Sequence, residues 1–170
     1  MGRDIPDATL DWGYCASQGM YYYGYKLQAI CGIRGVIHSY DITAASVHDL
    51  HYLNDVQWEY HDCTMLGDKG YLSTELQQNL FDVANISPEV PYWLNQKNRR
   101  PPTWAYKRFR KRIETVFSQL NDSLMMIRNY AKQPYGLFSR MAGKIAAMTI
   151  MQYVNFINHR PVGNIKYSLI

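Results

Sequence analysis

The sequence predicts an α/β fold, and three observations carry the prediction. Strand-like runs alternate with segments of helical period, no internal repeat or low-complexity stretch interrupts them, and the make-up is that of a globular protein. At 170 residues the chain suits a single domain, since one core of that size is easily buried and two hardly are. Hydrophobic residues make up 47% and charged residues 19%, which excludes global disorder. The formal net charge of +4 leans toward a polyanionic partner. Three scattered cysteines, Cys15, Cys31 and Cys63, argue against a disulfide framework and suit a reducing cytosol. The most apolar stretch, from Met141 to Arg160, is broken by Lys144, Gln152, Asn155 and Asn158, so a buried helix is expected there and no membrane span. The chain reads as soluble and cytoplasmic.

Each element has its own local signal. Residues 1–20 hold aspartates, glycines and a proline without an apolar period, and an irregular segment is expected. "YYYGYKLQAIC", the turn residues "GIRG" and "VIHSYDITA" predict a β-hairpin. Ser46 offers a cap for a helix through "SVHDLHYLNDVQW", with Asp49 favouring its positive end. "CTMLG" is a short buried strand, and Asp68 stands at its C-terminal end. Ser73 or Thr74 starts a second helix, and "PEVPYWLNQ", with two prolines, is at best an edge strand. From about Thr103 to Ile127, Phe109, Ile113, Val116, Phe117, Leu120 and Leu124 recur at spacings of three and four, predicting one long amphipathic helix. A last helix runs from "PYG" at 134–136 to about His159.

Charge is concentrated in one region. Between Glu89 and Glu114 there are eight cations, Lys97, Arg99, Arg100, Lys107, Arg108, Arg110, Lys111 and Arg112, and no acid. A solvated helix face explains such a run equally well. On a continuous helix, however, Glu114 shares a strip with Lys107, Arg110 and Asn121, which surrounds one carboxylate with positive charge. That setting favours the ionised form, a ligand for a hard cation such as Mg²⁺, with phosphates docking on the arginines. An ion pair with Arg110 is the plainer use of Glu114. Asp68, at a strand end, points at the crevice where open α/β sheets bind ligands, and two carboxylates sharing a divalent ion form the minimum of a phosphoryl-transfer site. His48 and His51, one turn apart, are expected to be surface histidines, and the tyrosines from Tyr21 to Tyr25 to pack in the hairpin.

"LGDKGY" followed by "RKRIETVFSQL" resembles the second and third catalytic regions of bacterial insertion-sequence transposases of the DDE class. The likeness extends over the "YYYGYKLQAICGIRGVIHSYDITAASVHDL" hairpin and helix and over "GLFSRMAGKIAAMTIMQYVNF", and so runs from about Tyr14 to Asn158. The resemblance implies a ribonuclease-H-like mixed sheet flanked by helices, with three carboxylates holding two Mg²⁺ (or Mn²⁺) ions. It implies cleavage of transposon ends and strand transfer into target, hence double-stranded DNA as partner, homo-oligomers and a nucleoid-associated location. Carried over by residue, Asp68 matches the second acid, Glu114 the third and Arg110 the signature arginine. The signature tyrosine falls on Lys107, beside Tyr106, and the signature lysine on Asn121, so neither is assigned a catalytic part. Phosphate contacts are expected from Lys107, Arg110, Lys111, Arg99, Arg100 and Asn121.

The family's first acid stands on a strand ahead of the "YYYGYK" region. Asp4, Asp7 and Asp11 lie in a turn-rich segment and none is assigned that part. The expectation is a partial catalytic domain over 21–160 that lacks its first central strand, preceded by irregular residues 1–20 and followed by a tail at 161–170. Such a fragment is expected to be inactive alone and marginally stable. A non-enzymatic basic nucleic-acid-binding domain is the alternative reading, and a degenerate relic is a third.

Overall fold

Aromatic and β-branched residues form the first sheet. The computed structural model describes residues 10–15, 19–71, 73–91 and 101–170. Strand β1 (Asp11–Cys15) pairs antiparallel with β2 (Met20–Cys31), which pairs antiparallel with β3 (Ile37–Ala44). The two pairings use different halves of β2: Asp11 to Cys15 face Gly24 to Met20, and Ala44 to Ile37 face Tyr25 to Cys31. The hairpin expected between β2 and β3 is present, closed by Gly35 N–H donating to Gly32 O at 2.8 Å with Gly35 at φ +82°. Strand β1 was not expected, for residues 1–20 have no apolar period. Cross-strand rings supply what periodicity lacked: Trp12 packs on Tyr23 and Tyr14 on Tyr21, with ring centroids 5.4 and 5.0 Å apart. Asp4 and Asp7, and the cations Lys97, Arg99 and Arg100, lie outside the described residues.

Helix α1 (Leu50–Glu59), strand β4 (Thr64–Leu66), helix α2 (Thr74–Ala84) and strand β5 (Ser87–Glu89) follow. β4 and β5 run parallel, with α2 as their crossover. Ser73 caps α2 by accepting from Leu76 N–H, and Asn85 ends it in the left-handed region at φ 51°. Helix α1 starts later than its expected cap: Asp49, not Ser46, stands at the N-cap, and its side chain makes no cap hydrogen bond.

The long helix expected over 103–127 is two helices, α3 (Trp104–Phe109) and α4 (Lys111–Asp122). Arg110 between them keeps right-handed helical angles, φ −52° and ψ −36°, so the interruption is local. The apolar stripe survives the break, with Val116 and Leu120 buried and Phe117 and Leu124 packed against them. Helix α5 (Pro134–Ile157) matches its expectation and ends in a Schellman turn, where His159 at φ 55° lets Arg160 N–H reach Asn155 O at 2.8 Å.

The chain divides into two compact units, one of Met1–Ser46 with Arg112–Ile170 and one of Val47–Lys111. The first is held by Val116, Leu120, Met126, Met141, Ile145, Met148 and Ile165. Ile165 belongs to the segment expected as a tail. It is fully buried and opens a 3₁₀ turn, Ile165–Leu169, so this segment completes the core. The second unit buries Tyr52, Val56, Leu80, Ala84, Ile86 and Tyr106. No helix among the described residues is long and apolar enough to cross a membrane.

Candidate functional site

Asp68 stands two residues beyond β4, past Gly67, whose N–H donates to Glu89 O at 3.0 Å and carries the ladder to the strand end. The carboxylate is held by its own turn: Asp68 Oδ1 accepts from Gly70 N–H at 2.8 Å. It is exposed. A second carboxylate shares this place. A Cβ built on Gly70 would stand 3.0 Å from Asp68 Oδ1 and 3.1 Å from Asp49 Oδ2, so the two acids flank the bare face of one glycine. Any side chain at position 70 would intrude between them.

Tyr71 completes the cluster. Burial, followed by the charges of Asp49 and Asp68 and by Tyr52, pushes its phenol well above the ordinary tyrosine value. Among the described residues no three histidine, cysteine, aspartate or glutamate side chains gather into a metal-binding group. His48 is engaged locally, its Nδ1 accepting from Leu50 N–H at 3.2 Å. Glu89, at the end of β5, accepts from the Thr103 hydroxyl that also caps α3.

Sequence reasoning assigned Asp49 to the helix start. Its side chain is not a cap, and only the fold of α1 against the β4 end reveals its neighbour. The spacing of nineteen residues between Asp49 and Asp68 carries no periodic signal.

Glu114 lies in the first turn of α4, exposed, where the positive end of the helix dipole favours a carboxylate. It belongs to the unit containing Arg112–Ile170, and Asp68 to the unit Val47–Lys111. Arg110 is the C-cap of α3, and its guanidinium stacks 5.9 Å from the Tyr106 ring centroid. Lys107 and Lys111 are exposed, and Asn121 is half-buried near the end of α4. Arg108, which sequence reasoning did not single out, lies over Trp104 at 5.1 Å and Phe109 at 5.7 Å.

The family model described as the transposase DDE domain matches residues 5–150. The chain belongs to the transposase DDE domain family. Its mixed α/β architecture is the ribonuclease-H-like kind expected of such a domain. Membership places the protein in DNA transposition and recombination, with DNA as the substrate of the family and divalent metal ions as its general cofactor. No curated protein and no solved structure matches the chain.

Proposed function

We propose that this transposase domain contributes to metal-dependent cleavage and strand transfer of double-stranded DNA, with Asp68 and Glu114 as the acids that hold the metal. One observation carries the reading: Asp68 is fixed at the end of β4 by Gly70 N–H, with a second carboxylate, Asp49, at the same glycine. Carboxylate oxygens are the donors that hard divalent cations take, so these residues fit Mg²⁺ or Mn²⁺. When bound, such an ion polarises a phosphoryl oxygen and makes water a better nucleophile.

The chain's own residues prepare for that ion. Gly70 N–H orients Asp68 without neutralising it, and the bare face of Gly70 keeps space between the acids. Tyr71 lies near enough to feel the charge of both carboxylates. Lys107, Arg110 and Lys111 supply charge for phosphates, with Asn121 as a hydrogen-bonding partner, as Arg99 and Arg100 do in this reading. Since Asp68 and Glu114 match two of the family's three acids, the chain alone is expected to bind DNA without cutting it.

Mn²⁺ titration followed by a cleavage assay on duplex DNA tests the proposal. Wild-type protein is expected to bind Mn²⁺, and Asp68→Asn and Glu114→Gln each to lose about tenfold or more in affinity, since each removes a hard anionic ligand. Mn²⁺ affinity indifferent to both substitutions would overturn the metal site. Robust cutting that disappears in Asp68→Ala would overturn the expectation of inactivity.

A further inference from the structure

The unit containing α4 and α5 has a second charged feature, which no motif predicts. An open cleft of about 870 Å³ lies between the β2–β3 turn, α4 and the segment after α5. Arg34 enters from the turn, Arg112 from α4, Arg160 from the end of α5 and Lys166 from the 3₁₀ turn. Among the described residues, no aspartate or glutamate lines it. Four cations from four separate places, with no acid among the described lining residues, give the cleft a positive field that favours an anion.

The walls are built to hold these cations in place. Three amide side chains clamp the backbone of these walls. Buried Gln152 donates from Nε2 to Gly35 O at 2.8 Å, fixing the turn that carries Arg34. Fully buried Asn155 donates from Nδ2 to Asn164 O at 2.8 Å and Pro161 O at 3.3 Å. Gln119 donates to Gly163 O and accepts from Ile165 N–H, both at 2.9 Å, tying the segment that carries Lys166 to α4. Arg112 is seated between two glycines: a Cβ at Gly35 would meet its Cδ at 3.1 Å, and one at Gly163 its Nη1 at 2.9 Å. Arg160 donates from Nη1 to Tyr167 O, which holds its guanidinium near the C-terminal segment. Such preorganisation lowers the cost of binding.

We propose that this cleft grips the phosphodiester backbone of duplex DNA, as a contact surface additional to Lys107, Arg110 and Lys111. The inference rests on DNA being the partner. Guanidinium forks match phosphate oxygens in geometry and charge. An open cleft whose cations come from separate elements suits a run of phosphates better than one small anion, and contacts of this kind position a duplex without reading its sequence.

The test is the salt dependence of affinity for a 30-base-pair duplex, followed by fluorescence anisotropy. Arg34 and Lys166 are exposed and are the substitutions least disturbing to the fold. Arg34→Gln with Lys166→Gln is expected to weaken binding uniformly across sequences and to reduce the slope of log affinity against log salt by about 1 for each lost contact. Arg112→Lys, which keeps the charge, is expected to hold the slope. Thermal melts of each variant exclude unfolding as the cause. Duplex binding with an unchanged slope in the double variant would overturn the cleft and leave the general DNA reading standing. A wild-type protein that binds no duplex would overturn both.

Discussion

The carboxylate pair of the Val47–Lys111 unit and the cationic cleft of the unit built around α4 and α5 present opposite chemistry by opposite means. At the first site two acids, Asp49 and Asp68, are brought to one glycine by a helix start and a strand end, where the backbone itself supplies the hydrogen bond. In the second, Arg34, Arg112, Arg160 and Lys166 converge on a cleft whose walls are fixed by buried amide side chains. An acid site needs few parts because a turn can orient one carboxylate. A cationic site for an extended polymer needs spread charges, so its precision must come from tertiary clamps.

That contrast gives the order in which substitutions should act. The largest effect is expected at Ile165, fully buried in the core of the unit built around α4 and α5. Ile165→Ala should cost about 2–5 kcal/mol in urea unfolding and loosen the cleft wall, while a change far below that would mean the C-terminal segment is not part of the core. Next comes Gly163→Ala, whose Cβ would meet Arg112 Nη1 and the backbone oxygen of Arg34, both at 2.9 Å. It should cost about 1–3 kcal/mol and lower the salt slope of DNA binding. Gly143, in α5, has nothing within 4 Å of its built Cβ. There Gly143→Ala should stabilise by about 0.5–1 kcal/mol with the salt slope untouched, which separates packing from phosphate binding.

The smallest expected effect belongs to the acid site. Tyr71 has its phenol raised by burial and by Asp49 and Asp68, so its stabilising contribution is complete below the ordinary tyrosine value and falls away as pH climbs above it, where only the unfolded chain ionises readily. Tyr71→Phe should therefore flatten part of the alkaline loss of stability seen in melts between pH 9 and pH 11, and an unaltered alkaline slope would remove Tyr71 from the cluster.

How far each region could be read from the chain follows from the same difference. Asp68 was legible because its surroundings are local: "CTMLGDKGY" contains the strand, the turn glycine and the acid together. The β2–β3 hairpin, the cap at Ser73 and the length of α5 were legible for the same reason. The break at Arg110 was hidden by an apolar stripe that continues through it and by a backbone that stays helical there. Strand β1 was hidden because its stabilising rings lie on another strand. Asp49 looked like helix-start charge until the fold set it beside Asp68. The cleft was the least legible of all, for its four cations are scattered from position 34 to position 166 and gain meaning only when the turn, α4 and the C-terminal segment meet.

The division of labour between acids and cations is tested most directly by Mn²⁺ titration, followed by electron paramagnetic resonance, on wild type, Asp68→Asn and the Arg34→Gln, Lys166→Gln double variant. Mn²⁺ affinity reduced about tenfold or more in Asp68→Asn and unaltered in the double variant is the predicted result. Equal Mn²⁺ affinity in wild type and Asp68→Asn would contradict it.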